Sequence, residues 1–209
     1  MKNYKDLIKQ MPFKDYKANR INLHIHSKHS DGLASFEDIE KQAVQIKRYK
    51  HFSITDHNTV QGYLEHPETK AIPGVEFDVW YKYIFLHLLA YGIDVHNEKL
   101  QKFYSKDKRG TEADIIRIFA KRNIKELIEA IHEAGGIAVL AHPCCCWALS
   151  LETFIKDLKA LGLDGVEVYY PYPRWRKYIK FSNPEQVAQI ADKYGLIKTG
   201  GTDCHSEFI

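Results

Sequence analysis

The sequence predicts an α/β fold in which helices cover a largely parallel sheet. Such a sheet can stay open or close into a barrel, and the barrel is the preferred reading. Three observations lead there. Short apolar, β-branched runs alternate with longer segments of helical period. The side chains able to do chemistry gather where those runs stop, as they do at the C-terminal face of β/α barrels. No repeat, low-complexity tract or Pro/Gly-rich linker divides the 209 residues, so one domain over residues 21–209 follows a surface extension over residues 1–20.

Taken in order, Ile21 to Ile25 is the first strand. Ser35-x-x-Asp38 then reads as an N-cap with an acidic first turn, opening a helix whose apolar face is Phe36, Ile39, Ala43, Val44 and Ile46. Phe52 to Thr55 is the second strand. Ile72 to Val79 and Ile84 to Tyr91 are the third and fourth, adjacent and joined through Trp80 to Tyr83. Thr111 to Ala134 carries Ile115, Ile118, Phe119, Leu127, Ile128 and Ile131 at helical spacing, with Asn123 offering a break and Gly135-Gly136 a stop. Ile137 to Ala141 and Gly165 to Tyr169 are the fifth and sixth strands. Pro184 to Tyr194 has Pro at a helix start, Val187, Ile190 and Ala191 on one face and Gly195 as cap. Ile197 to Gly201 closes the set as the seventh strand.

Composition narrows the function. Thirty Lys and Arg against 27 Asp and Glu leave a formal charge of +3, which makes no strong electrostatic case for a nucleic-acid coat or a membrane-surface protein. No stretch approaches 18 consecutive apolar residues, and the N-terminus lacks the apolar run of a signal peptide, so a cytoplasmic protein is expected. Three of the four Cys are consecutive, Cys144 to Cys146, and chain neighbours rarely meet disulfide geometry; a reducing compartment fits them. The 11 His are the anomaly: seven of them (24, 26, 29, 57, 87, 142 and 205) lie at the ends of apolar runs.

His24-Ile25-His26 ends the first strand. Side chains two apart on a strand project from one face, so both imidazoles can reach one metal. Ser30-Asp31-Gly32 follows in the next loop, and Thr55-Asp56-His57 ends the second strand. Glu76 sits in the third and His87 in the fourth, His142 follows the fifth, and Asp203-Cys204-His205 follows the seventh with the same two-apart spacing. Each element alone has a bland reading: a chance HxH on a half-exposed strand, or a salt-bridged core carboxylate at Glu76. Together they place nitrogen and carboxylate donors at six strand ends, a mixture that suits Zn, Mn or Fe better than Ca or Mg.

At these residues the sequence resembles the PHP (polymerase and histidinol phosphatase) superfamily of metal-dependent phosphoesterases. The HxH with SDG, the TDH, the AHP element and the final GGTDxH carry the resemblance, which runs from about Ile21 to the C-terminus. It implies a distorted seven-stranded β/α barrel, TIM-like in layout, holding two or three divalent transition metals. By the same resemblance a first metal takes His24, His26, Glu76 and Asp203. Glu76 bridges to a second that also takes His87 and His142, and Asp31, His57 and His205 hold a third. Metal-activated hydroxide would then attack the phosphate, with Glu76 and Asp203 at the centre of the catalysis and Asp56 orienting a ligand rather than binding metal. Two departures from the family pattern stand out. The interval between strands four and five, Asp94 to Gly136, is short, so a small lid or none is expected. The chain also ends four residues after His205, so the usual closing helix is missing or belongs to a longer parent chain.

Phosphate also needs fixed positive charge. After the sixth strand, Tyr172, Arg174, Trp175 and Arg176 combine Arg forks with stackable rings and are the substrate-binding candidates; a solvated basic turn is the competing reading. Arg109 and Arg122 are weaker candidates. His29 is expected at the surface or behind the ligands, Cys144 to Cys146 as passive residues lining the mouth, and Cys204 packed in the core. The expected activity is hydrolysis of phosphomonoesters on a small or nucleotide-like substrate. The alternatives are a 5′-to-3′ exonuclease on short RNA or DNA, a non-catalytic PHP-like scaffold, and an amidohydrolase, which leaves TDH and Glu76 unexplained.

Overall fold

A computed structural model describes residues 3–119, 121–171 and 183–209. Among them are seven strands: β1 (Ile21–Asn22), β2 (His51–Phe52), β3 (Gly74–Tyr81), β4 (Ile84–Tyr91), β5 (Ile137–Leu140), β6 (Gly165–Tyr169) and β7 (Ile197–Gly200). The helices are α1 (Tyr4–Lys9), α2 (Phe13–Lys17), α3 (Phe36–Lys41), α4 (Gln61–Glu65), α5 (Glu98–Gln101), α6 (Arg109–Glu112), α7 (Asp114–Arg117), α8 (Ile124–Glu133), α9 (Leu151–Ala160) and α10 (Pro184–Tyr194).

Local chemistry sets most of the helix starts. Ser35 accepts from the Asp38 amide to cap α3, Ser150 from Thr153 to cap α9, and Asn183 forms a reciprocal capping box with Gln186 at α10, which Gly195 ends in the left-handed conformation. Asn123 accepts from the Lys125 and Glu126 amides and so starts α8. The single periodic segment from Thr111 to Ala134 is therefore broken, into the one-turn helices α6 and α7 and then α8. Tertiary contacts explain the break: Arg117 is drawn inward to Asp31 while Ile115 and Phe119, part of the expected apolar face, are exposed.

Five strands form one sheet in the order β3-β4-β5-β6-β7, and β1 and β2 form a second. The expected parallel majority is diluted, since β4 runs antiparallel to both β3 and β5 while β1-β2, β5-β6 and β6-β7 are parallel. A two-residue connection, Lys82 and Tyr83, makes β3 and β4 a hairpin. Strands one to three also differ from expectation: pairing in β1 and β2 stops short of His24 and Thr55, and β3 runs on to Tyr81. The two sheets meet at two seams. At one, Ile25 bridges Cys204, and the Asp203 amide donates to the His24 carbonyl at 2.8 Å. At the other, His57 bridges Glu76. Backbone bonds from Leu23 to the Gly200 carbonyl and from His26 to the Cys204 carbonyl extend the first seam, yet only isolated bridges, not ladders, join the two sheets among the described residues, in place of the expected continuous barrel.

The main core lies between the sheets and the covering helices α3, α8, α9 and α10, with Phe36, Phe77, Leu88, Ile128, Ile155 and Val187 fully or almost fully buried. A second core packs Ile8, Met11 and Tyr16 against Ile21, Leu23, Leu89 and Val139. Residues 1–20, expected as a surface extension, thus supply Ile8 from α1, Tyr16 from α2 and Met11 from the turn between them to this core. Fully burying an apolar side chain of this size contributes about 1.5–3 kcal/mol. No helix among the described residues is long and apolar enough to cross a membrane.

Candidate metal centre

Two glycines explain why the ligand loops can approach one another. A Cβ at Gly32 would lie 2.2 Å from the His26 carbonyl oxygen, and one at Gly201 would lie 2.3 Å from the His24 Cβ. Only glycine lets the SDG loop fold over His26 and the GGT turn cross His24. The turn then delivers Asp203 with φ of 50°, and β5 delivers His142 with φ of 27°. Both are in the left-handed region that side chains avoid, a cost of order 1–3 kcal/mol each, of the kind found at functional sites.

The donors converge as follows. His24 Nε2 and His26 Nε2 are 3.2 Å apart. Glu76 Oε2 is 3.1 Å from each of them, and Asp203 Oδ1 is 3.2 and 3.0 Å away. The other Glu76 oxygen, Oε1, faces His87 Nδ1 at 3.0 Å and His142 Nε2 at 3.3 Å. Beside these, Asp31 lies 3.2 Å from His205 Nε2 and 3.8 Å from His57 Nε2, and His26 completes this third group. All nine residues singled out as ligands in the sequence are brought together, and the two oxygens of Glu76 face two different groups.

This donor set fits divalent cations. Two donors held 2.0–2.1 Å from one tetrahedral ion lie about 3.3 Å apart, close to the spacings above. Asp31 Oδ1, His57 Nδ1, Asp78 Oδ1 and His87 Nδ1 are buried and meet charged partners only as ion pairs, at 3.2 Å (Asp31 to His205), 3.3 Å (His57 to Asp78) and 3.0 Å (His87 to Glu76), without well-aligned hydrogen bonds. Burial raises the pKa of Glu76, but His24, His57, His87 and His142 outweigh it and hold the carboxyl well below its usual range. Asp203 is depressed likewise against burial by His24 and His26, and Asp78 is lowered to about 2 by His57, His87 and Arg117. The carboxylates in turn overcome burial to raise His24 well above 6.5 and His26 to about 9. Protons on imidazoles thus balance the carboxylates, and ions replacing them would release those protons.

Asp56 stands outside the three groups. Its oxygens accept from the Ser27 amide at 2.7 Å, the Ser27 hydroxyl at 2.6 Å and the Ser30 hydroxyl at 2.7 Å, so it fixes the loop that carries Asp31. His29 is half-buried near Glu65. Cys145 and Cys146 line the mouth as expected, and Cys204 packs against the core with its thiol donating to the Phe208 carbonyl. Tyr172, Arg174, Trp175 and Arg176 lie outside the described residues. Arg122 donates to the Phe103 and Asp78 carbonyls and Arg109 is exposed beside Asp107, so neither reaches the ligands.

Four contributors escaped the sequence reading. Asp78 Oδ1 is 3.3 Å from His57 Nδ1 and 3.2 Å from His87 Nε2, the nitrogens opposite those facing Glu76. It follows Glu76 by two residues on one strand face, so the spacing argument used for His24 and His26 would have found it. Glu167, fully buried in β6, accepts from His24 Nδ1 at 3.0 Å and the His142 amide at 2.9 Å; a lone charge in the run Gly165 to Tyr169 was its signal. Arg117 donates to Asp31 at 2.9 Å and the Tyr170 hydroxyl to Asp203 at 2.8 Å; nothing local marked either. A cavity of about 520 Å³ opens onto the cluster, lined by Asp31, His87, Arg117, His142, Asp203 and His205 among others.

No family model matches the chain. It is 23% identical to the phosphoribosyl 1,2-cyclic phosphate 1,2-diphosphodiesterase of Eggerthella lenta, over 90% of this chain and 94% of the relative. It is 29% identical to an uncharacterised protein of Methanocaldococcus jannaschii over 74% of this chain and 84% of that one. Among solved structures it is similar to a protein of Bifidobacterium adolescentis assigned as a metal-dependent phosphoesterase (TM-score 0.70, 19% identity, 90% of this chain and 88% of that one). An amidohydrolase of Chromobacterium violaceum with bound sulfate and no metal has the same coverage at TM-score 0.67 and 21% identity. A two-domain protein of Bacteroides vulgatus containing a predicted PHP-like metal-dependent phosphoesterase matches at TM-score 0.59 and 15% identity, over 90% of this chain and 52% of that one. In fold the chain is similar to proteins described as metal-dependent phosphoesterases. Identities this low show the fold alone for the solved structures. The residues that carry the resemblance in the sequence, His24, His26, Asp31, His57, Glu76, His87, His142, Asp203 and His205, converge in this fold.

Proposed function

We propose that the chain hydrolyses phosphomonoesters on a small or nucleotide-like substrate, using two or three divalent transition ions (Mn, Zn or Fe) held by the nine ligands. The observation that carries the reading is Glu76: fully buried, it turns one oxygen to His24 and His26 and the other to His87 and His142. That is the placement of a carboxylate shared between two ions. Divalent ions bound there supply Lewis acidity toward phosphoryl oxygens and lower the pKa of water. The chain's own residues do the rest. Asp56 holds the Asp31 loop through Ser27 and Ser30. Glu167 fixes His24 by accepting from Nδ1, leaving Nε2 to face the site. Arg117, at the cavity wall, anchors Asp31 and donates to the Thr111 carbonyl, and Tyr172, Arg174, Trp175 and Arg176 are proposed as substrate contacts on sequence grounds.

A cavity of about 520 Å³ is within the range of small-molecule sites, and a net charge of +3 gives little long-range attraction to a polyanion. Both favour a small substrate over a nucleic-acid chain. A second reading, hydrolysis of a small cyclic phosphodiester, is favoured by the name of the Eggerthella relative and fits the same cavity. Product analysis with Mn or Fe added discriminates among these, following phosphate release from nucleoside monophosphates and sugar phosphates, ring opening of a ribose cyclic phosphate to a monoester, and mononucleotide release from a 5′-phosphorylated oligonucleotide. We expect the highest kcat/KM on a small monoester and a larger effect of Arg174→Ala on KM than on kcat. An advantage for the oligonucleotide promotes the exonuclease, and one for the cyclic diester promotes the second reading.

A further inference from the structure

We infer that a further divalent transition-metal ion binds at His29, Glu65 and His66, apart from the central cluster. Each of the three offers one donor atom, and these atoms lie within 4.8 Å of one another. None of the three lines the central cavity.

The donors come from two elements that the core holds face to face. Glu65 ends α4 and His66 caps it, its amide donating to the Gly62 carbonyl. His29 belongs to the loop between His26 and Asp31, and its amide donates to the Ser27 hydroxyl, itself bound to Asp56. Between them stands the buried ring of Phe36. His66 stacks on it with centroids 5.1 Å apart and planes 7° from parallel, while His29 meets its edge at 6.3 Å and 70°. Gly62 leaves room for this arrangement, since a Cβ there would come 2.3 Å from Phe36 and 3.1 Å from His29. Both imidazoles are therefore oriented before any ion arrives, which lowers the ordering cost of binding.

The spacing and chemistry suit zinc or cobalt. His29 Nε2 and Glu65 Oε2 are 3.6 Å apart, a few tenths more than the roughly 3.3 Å edge of a tetrahedral site. Glu65 is half exposed, and with Oε1 accepting from Gln61 Nε2 at 2.8 Å its Oε2 is turned to His29. Glu37 Oε1 lies 3.8 Å from His66 Nδ1, outside the group of three donors. Two imidazoles with one carboxylate form a mixed N/O shell that binds Zn²⁺ and Co²⁺ in preference to Ca²⁺ or Mg²⁺. As a simple ion pair, His29 and Glu65 would be screened by solvent and of little worth, whereas a shared ion would use all three donors. An ion here ties α4 to the loop that bears Asp31.

Equilibrium dialysis against saturating Co²⁺ tests this by difference, so that occupancy of the central cluster cancels. Wild type should hold one ion per chain more than E65Q and one more than H29A/H66A, while H96A, at an exposed histidine elsewhere, should match wild type. The extra ion should be displaced by Zn²⁺ and add a visible absorption band of tetrahedral Co²⁺. Equal cobalt contents in wild type and E65Q overturn the inference. Circular dichroism checks the fold, and if H29A/H66A does not fold, E65Q decides alone, because it alters one half-exposed side chain.

Discussion

Asp203 and His142 combine a ligand side chain with a left-handed backbone, so their replacements separate chemistry from folding. Asparagine tolerates that region nearly as well as aspartate. Asp203→Asn should therefore fold normally yet lower turnover by about two to four orders of magnitude, because the amide keeps the shape and loses the charge that balances the ions. Glu76→Gln should be at least as damaging. Metal-supplemented phosphate release alongside circular dichroism checks both, and near-normal activity in either folded variant would remove it from the catalytic set. Asp78→Asn should act on binding instead: the carboxylate touches the far nitrogens of His57 and His87, and loss of such a partner typically weakens metal affinity about 10–100-fold. A competitive chelator titration measures it. The contrast also shows what the sequence could say. His24 with His26 was legible because alternation along an extended chain is a local rule, whereas Asp203, left-handed at φ of 50° beyond β7, is set by the GGT turn. The same rule covered Glu76 with Asp78 and was not applied there, whereas Arg117 reaches Asp31 through a helix break that no periodicity encodes.

At the scale of elements, the seven strands, the Ser35 cap and the Gly195 stop were legible, whereas α9 with its Ser150 cap, the Asn183 capping box and strand direction were not. Ser35 and Asn123 announce their helices through hydrogen bonds a few residues long. Nothing in Ile84 to Tyr91 states that the strand runs antiparallel to both neighbours; the two-residue turn at Lys82 and Tyr83 forces the first reversal, and the long return through α5 to α8 permits the second. The joint between α8, β5 and β6 offers a pH-linked test. Asp164 accepts from His132 of α8 at 2.6 Å and from the Ala138 amide of β5 at 2.9 Å. Burial pushes its pKa up, but the His132 hydrogen bond, the Ala138 amide and the charges of His132 and Lys5 outweigh this and depress it. A carboxyl with a depressed folded-state pKa contributes stability that is present above its ordinary value near 3.8 and is lost as pH falls through the folded value. Asp164→Asn should accordingly cost about 1.5–3 kcal/mol at neutral pH in urea unfolding, with the gap to wild type closing in acid. A gap independent of pH would mean that packing, not charge, holds this joint.

For the whole molecule, the fold brings to one place residues spread from His24 to His205, held by a sheet whose seams lie beside the ligands. The cluster buries Glu76, Asp78 and Glu167 completely, an arrangement that protons balance in part and that divalent ions would balance better. The central claim is that this cluster is a site for two or three ions shared through Glu76. Elemental analysis of protein purified without chelator and gel-filtered, which strips weakly held ions, tests it most directly. Wild type should hold two or three Mn, Fe or Zn ions per chain, and Glu76→Gln should lose at least one of them. Fewer than one ion per chain in wild type, with no gain after incubation with Mn or Zn, would contradict the account.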